Sequence, residues 1–185
     1  MALTKVRTGG LTADAVDNTI LKLDDNYALT GNVTGAGTIV QVVNVTSVAM
    51  ATGTTVLPLN DTIPQNDEGD EYLTQAITPT NASNKLLIEV SGLWNSSVAG
   101  WISIALFQDS TANALAANTH YGSQATANVI EGMKHFMTAG TTSETTFKIR
   151  VGPHSSATVT MNGENGGRRF GGVQASQITI MEIAV

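Results

Sequence analysis

The three histidines of the chain, His120, His135 and His154, are its most versatile groups for acid–base or metal chemistry near neutral pH. None lies in an H-E-x-x-H spacing, and the sequence contains neither a G-x-S-x-G elbow nor a P-loop. There is no cysteine, which excludes zinc–thiolate sites and disulfides. We therefore predict a protein that is not an enzyme and holds no metal or cofactor. A Ser/His/Asp triad built from distant positions is the alternative that composition leaves open.

Two adjacent arginines, Arg168 and Arg169, form the most unusual loop of this acidic chain, because glycine pairs flank them and Phe170 follows. A guanidinium group offers planar, bidentate donors that suit a carboxylate, a phosphate or an acidic sugar. We consider the pair a candidate ligand-binding site. The alternative is a salt bridge to an acid of the same or a neighbouring subunit.

The two tryptophans, Trp94 and Trp101, flank a short polar turn. Aromatic side chains near a loop tip can stack on sugar rings, so this pair is a candidate glycan-binding site. Packing in the core or in a trimer interface is the alternative use of both side chains.

A cluster of four carboxylates precedes the clearest part of the strand pattern. Carboxylates in a turn can bind Ca²⁺, although the spacing is not that of an EF-hand. The alternative is a solvated turn that keeps an edge strand from pairing with foreign strands. The cluster consists of Asp67, Glu68, Asp70 and Glu71.

The charge balance and hydropathy exclude two classes of partner. A net charge of −6 and a pI near 4.8 oppose binding to nucleic-acid backbones. No apolar run approaches the roughly 18 residues of a membrane helix, and no signal peptide is visible, so we expect assembly in a cytoplasm without membrane insertion.

The element that would organise the fold begins at Leu86, after the turn formers of residues 78–84. Leu86, Ile88 and Val90 share one face and Leu87, Glu89 and Ser91 the other, which predicts a half-buried strand.

Short apolar segments separated by turn signals continue this pattern along the chain and predict an all-β, antiparallel jelly-roll sandwich of about eight to ten strands. The terminal strand is apolar on both faces apart from Thr179 and Glu182, so we expect it to be central and covered on both sides. We expect a long loop over residues 109–128. The other predicted strands lie at residues 39–50, 54–59, 72–77, 101–108, 129–137, 147–151, 157–161 and 177–185.

Residues 1–37 lack a strand pattern and end in a glycine-rich hinge. Four apolar residues there are spaced by four, three and four, which suits one face of a short helix, although an extended arm fixed by a partner is equally compatible. We divide the chain into an attachment arm, residues 1–37, and a head, residues 38–185. The arm's contact residues would be Val16, Ile20, Leu23 and Tyr27.

Several runs resemble tail-fibre and head-decoration proteins of tailed bacteriophages. They are residues 63–74, 77–79, 85–88, 139–148 and 178–184, with the leader segments 23–27 and 30–37 similar to N-terminal parts of phage virion proteins.

The resemblance implies a trimeric jelly roll similar to tumour-necrosis-factor heads. By the same resemblance the protein would be a non-enzymatic structural protein of the virion, a capsid decoration or head fibre anchored to another virion protein through residues 1–37. The alternative is a short tail fibre or adhesin whose head loops bind a host-surface glycan.

Overall fold

The computed structural model describes residues 37–185. The predicted arm therefore lies outside the described residues except for Gly37, and so do Val16, Ile20, Leu23 and Tyr27. The arm, its contacts and the boundary at residue 37 stay predictions. Among residues 37–185 no helix is long and apolar enough to cross a membrane.

The described part of the chain is all-β, and its helical content is one 3₁₀ turn, Phe170–Gly172. Its twelve strands include four of only two or three residues. They are β1 (Ile39–Ser47), β2 (Ala51–Gly53), β3 (Asp70–Ile77), β4 (Lys85–Ser96), β5 (Gly100–Gln108), β6 (Ala116–Gly122), β7 (Asn128–Thr138), β8 (Thr145–Pro153), β9 (Val159–Met161), β10 (Gly163–Glu164), β11 (Gly167–Arg168) and β12 (Ser176–Ile183).

Two antiparallel sheets form the sandwich, which confirms the predicted jelly-roll class. In the first sheet β12 lies between β1 and β4, and β7 pairs with the other edge of β4. Beyond the end of β12, β9 pairs with the last residues of β4 and carries β2. The second sheet has the order β3, β8, β5, β6, while β10 and β11 form a separate hairpin.

Strand β4 has the predicted alternation. Leu86, Ile88 and Val90 point into the core between the sheets and are buried, whereas Ser91 on the other face is exposed. Facing side chains of β5 and β8, among them Ile104 and Ile149, complete this core. The hydrophobic pattern therefore set the register of β4 correctly.

The terminal strand β12 is central in its sheet, as predicted, but its two faces differ. Ile178 and Ile180 are buried in the core, while Gln177 is exposed and Met181 half-buried on the other face. The expectation that both faces are covered is therefore wrong for the single chain. The side chains of β12 that point away from the core belong to an outer surface described below.

Residues 54–59 do not form the predicted strand. They belong to a segment that crosses the outer face of the second sheet, where Leu57 packs on Ala105 and Phe107 of β5. The Leu57 amide donates to the carbonyl of Pro153 at 3.0 Å. A Cβ at Gly152 would lie 2.6 Å from the Thr55 carbonyl, so glycine permits this close crossing.

The predicted loop at residues 109–128 contains a strand, β6, and this prediction is wrong as well. Strand β6 is the edge of the second sheet and pairs with β5 from Leu106↔Ala116 to Gly100↔Gly122. Most of its residues are exposed, so its sequence lacks the apolar alternation of a half-buried strand. Similarly, the strand predicted at residues 39–50 ends at Ser47.

Candidate subunit interface

An apolar row runs across four strands on the outer face of the first sheet. Val42 pairs with Met181, Met181 with Leu87, and Leu87 with Phe136, so these four side chains stand side by side on one face. Val42 is 54% exposed and Phe136 58% exposed, while Met181 and Leu87 are half-buried. We call these four residues the outer row. A contiguous exposed apolar surface of this kind is typical of a protein–protein contact.

The adjacent row on the same face is polar, and its side chains are paired with one another. Asn44 Nδ2 donates to Thr179 Oγ1 at 2.8 Å. Lys134 Nζ lies 2.6 Å from Glu89 Oε1. Because these groups have partners within the chain, another protein could cover them without leaving any of them unpaired.

A second set of apolar side chains lies at the far end of the same face. Leu93 pairs with Ile130, and Ile130 is largely exposed. The outer face of the first sheet therefore carries apolar side chains at both ends and satisfied polar pairs between them.

A buried carboxylate fixes the sheet beside the outer row. Glu182 accepts hydrogen bonds from Gln41 Nε2 at 2.5 Å, Asn84 Nδ2 at 2.6 Å, and Thr80 N and Oγ1 at 2.8 Å, with Asn81 N at 3.3 Å. These bonds join the edge strand β1 and the turn before β4 to the terminal strand.

Burial by itself would raise the pKa of Glu182, but the hydrogen bonds from Gln41, Asn84 and Thr80 act in the opposite direction. Together they hold the pKa of this carboxyl below its usual value, so Glu182 is ionised at neutral pH.

The two tryptophans of the predicted glycan site lie in different environments. Trp94 is fully buried in the core, with its ring edge-on to Tyr72 at 5.2 Å, so it has no surface for a ligand. The core-packing alternative describes Trp94. Trp101 is 37% exposed on the second sheet, and its ring lies 5.1 Å from that of Tyr121.

The arginine pair lies at the β10–β11 hairpin. Arg169 forms a salt bridge with Glu164, with Nη2 at 3.0 Å from Oε2, which is the alternative given above for this pair. Arg168 Nη2 donates to the carbonyl of Gly171 at 2.8 Å. Binding of an external anion by these two residues stays a prediction.

Three of the four carboxylates of the predicted cation cluster have separate partners, and Glu68 accepts from Gln65 N at 2.9 Å. Asp70 accepts from Thr55 N at 2.8 Å and Thr55 Oγ1 at 2.7 Å, and Glu71 lies 3.9 Å from Arg150. Across residues 37–185, no three histidine, aspartate or glutamate side chains converge as metal ligands would. The histidines are also separate, on β6, on β7 and after β8.

Reasoning from the sequence missed the outer row. Each member follows the period-two alternation of its own strand, and only the pairing of four strands brings the members together. The available signal was an apolar residue at an outward position of each strand, such as Leu87 between Leu86 and Ile88.

Solved structures resemble this chain only distantly. A dimeric latent PorU from Porphyromonas gingivalis has a TM-score of 0.37 at 8% identity, over 81% of this chain and 14% of that one. The infectious bursal disease virus Gx strain has a TM-score of 0.37 at 9% identity, over 77% and 37%. Bacteriophage CBA120 tailspike protein 4 has a TM-score of 0.28 at 13% identity, over 68% and 19%. The chain thus spans well under half of these proteins, and such scores carry no functional argument.

No curated protein matches the chain. A family model described as Pgp3 C-terminal domain matches residues 53–185. The expected homotrimer with a head similar to tumour necrosis factor is compatible with this family. The match overturns the predicted bacteriophage family: the assignment as a virion structural protein, its tail-fibre alternative and its virion location are wrong.

Proposed function

The chain belongs to the family of the Pgp3 C-terminal domain, and from this membership we propose that it acts as a non-enzymatic, homotrimeric head whose subunits meet through the outer face of the first sheet. The observation that carries the proposal is the outer row, Val42, Met181, Leu87 and Phe136. It joins four strands into one exposed apolar surface.

A closed cyclic trimer buries the outer row of every subunit, and each contact then joins this row to a different surface of the neighbouring subunit. Burying a Phe side chain contributes about 1.5 to 3 kcal/mol relative to leaving it exposed, and three subunits repeat that contribution. The outer row would therefore supply a substantial part of the association free energy.

The polar pairs beside the outer row are also compatible with a second copy of this chain as the partner. Lys134 is paired with Glu89, and Asn44 with Thr179. Covering these groups therefore does not leave a charge or an amide without a partner. A partner with a strong single-sign charge would gain little from such a surface.

The proposal that the head is not an enzyme rests on the sequence and on the positions of its ionisable groups. The histidines lie on separate elements, and the buried acid Glu182 is surrounded by hydrogen-bond donors of the fold. A family of trimeric heads is compatible with a role in assembly and recognition without chemistry.

The experiment compares the mass of the wild-type protein with that of two charge variants by light scattering after gel filtration. Wild type should have three times the 19.2 kDa mass of the chain. Phe136→Glu places a carboxylate in the proposed contact of every subunit and should give a folded monomer.

Tyr121→Glu is the matched control, since Tyr121 is a similarly exposed aromatic, at 51%, on the outer face of the opposite sheet. It should remain a trimer. A trimeric Phe136→Glu protein, or a monomeric wild type at micromolar concentration, would contradict the proposal.

A further inference from the structure

A groove of about 450 Å³ lies on the outer face of the second sheet, away from the face proposed for assembly. Ser103 of β5 and its partner Thr119 of β6 belong to its floor. One wall comes from the segment that crosses this face and presents Pro58, Leu59 and Pro64. A cavity of this size is in the range that holds small ligands.

An exposed aromatic pair lies beside the groove, next to its lining residues Ser103 and Thr119. Trp101 pairs with Tyr121, one step along the same face from Ser103 and Thr119, which corresponds to about 7 Å along a strand. The two rings lie 5.1 Å apart and are tilted by 59°. The floor of the groove and the aromatic pair therefore form one continuous surface.

The backbone at Trp101, beside the groove, is held in place by His154. Trp101 N donates to His154 Nδ1 at 3.2 Å, and His154 N donates to the Trp101 carbonyl at 3.1 Å. A Cβ at Gly100 would lie 2.8 Å from the His154 ring, so glycine lets the imidazole pack there. These contacts fix the backbone from which the Trp101 ring projects.

The polar groups of the groove are hydroxyls and amides. Ser103 Oγ donates to Thr119 Oγ1 at 3.2 Å, and Thr119 Oγ1 donates to the carbonyl of Ile102 at 3.1 Å. This chain of bonds leaves lone pairs on both hydroxyl oxygens. Asn60 Oδ1 accepts from Thr62 N at 3.1 Å, which orients the Asn60 amide at the opposite wall.

None of the residues that line the groove carries a charge. An ionic ligand would therefore lose its hydration without gaining a charged partner. A ligand that fits must combine apolar C–H surface, for the aromatic pair and the prolines, with groups that both donate and accept hydrogen bonds. Sugar rings have both properties.

We propose that this groove, from Trp101 and Tyr121 to the wall at Pro58 and Leu59, binds a neutral saccharide. The aromatic pair would stack on one ring face. Thr119 and Asn60 would contact the hydroxyl groups of the sugar. This site is separate from Arg168 and Arg169, and it does not depend on the trimer.

The test titrates the full-length protein with four neutral disaccharides, namely maltose, cellobiose, lactose and N,N′-diacetylchitobiose. Saturation-transfer NMR reports binding, and fluorescence reports the exposed Trp101. At least one disaccharide should bind with a Kd of about 1 mM or tighter. Trp101→Ala should weaken binding about tenfold or more, and Thr119→Val should weaken it measurably.

Two comparisons make the result specific. Phe136→Ala removes an exposed aromatic from the opposite sheet and should leave the saccharide Kd unchanged even if the trimer dissociates, which separates this site from the assembly. Decaproline and inorganic phosphate should not bind the groove. Absence of binding by all four disaccharides would overturn the proposal, as would unchanged affinity in Trp101→Ala or preferential binding of decaproline.

Discussion

Replacing Glu182 should reveal how much one buried carboxylate stabilises the fold. Its side chain is fully buried and accepts from Gln41, Thr80, Asn81 and Asn84. In Glu182→Ala all of these donors lose their acceptor in a site closed to solvent. The variant should therefore be among the least stable single substitutions of the head.

The magnitude follows from the bonds that are lost. A hydrogen bond to a charged group contributes about 1.5 to 3 kcal/mol, but contributions to one carboxylate do not add, and the wild type also bears the desolvation of the charge. Each buried neutral donor left without an acceptor costs about 1 to 3 kcal/mol, so removing the shared acceptor of several donors should cost about 3 to 5 kcal/mol in all. We expect a loss in this range for Glu182→Ala.

Glu182→Gln is the matched control because it has nearly the same volume. Its remaining carbonyl oxygen can still accept from Thr80 and Asn84. Its NH₂ group, however, would face Gln41 Nε2, so that two donors meet. Gln41 would have to rotate its amide and give up its bond to the Thr78 carbonyl, which is 2.8 Å long in the wild type. We expect an intermediate loss of about 1 to 2 kcal/mol.

The same pair of proteins tests the ionisation of Glu182. Because the folded pKa of Glu182 lies below the ordinary value of a glutamate, the ionised carboxylate stabilises the fold fully above that ordinary value. This contribution is lost as the pH falls through the folded pKa. The difference in free energy of unfolding between wild type and Glu182→Gln should therefore be constant near neutral pH and should decrease below about pH 4.5.

Urea unfolding at several pH values, followed by circular dichroism, measures both effects. A Glu182→Ala protein within 1 kcal/mol of wild type would refute the view that these donors depend on the carboxylate. A gap between wild type and Glu182→Gln that stays constant down to pH 3 would refute the ionised state.

Two further substitutions test the core and the arginine hairpin. Ile88→Asp places an unpaired carboxylate in the core at a fully buried position and should cost several kcal/mol, giving insoluble or unfolded protein; a soluble product with an unchanged melting temperature would show that the register of β4 is wrong. Arg169→Ala removes the partly exposed salt bridge to Glu164 and should change the free energy of unfolding by less than about 1 kcal/mol; a loss above 2 kcal/mol in a denaturant titration would contradict that reading.

The strands that border the core could be predicted from the sequence, because one buried face imposes an alternation that is visible in the chain. Leu86, Ile88 and Val90 of β4 show it, and so do Phe147, Ile149 and Val151 of β8. The two elements that were missed have no such constraint. Strand β6 is an exposed edge strand. Residues 54–59 form no regular strand and cross the outer face of the second sheet.

The candidate sites could be predicted less well because they depend on pairing between distant segments. Trp94 and Trp101 flank one turn in the sequence, yet only Trp101 reaches the surface. The outer row combines residues from β1, β4, β7 and β12, and no local pattern in any one of them reveals the others. Glu182 looked like a polar exception in an apolar strand, whereas it is the acceptor that joins three segments.

Hydroxyl-radical footprinting of the wild-type protein tests the proposed trimer contact most directly. Phe136 and Phe170 are the same residue type and are 58% and 78% exposed in the single chain, and Tyr121 on the opposite sheet is a second reference. Burial of the outer row between subunits predicts strong protection of Phe136 from oxidation, while Phe170 and Tyr121 react. Oxidation of Phe136 in proportion to its exposure in the single chain would contradict assembly through this face.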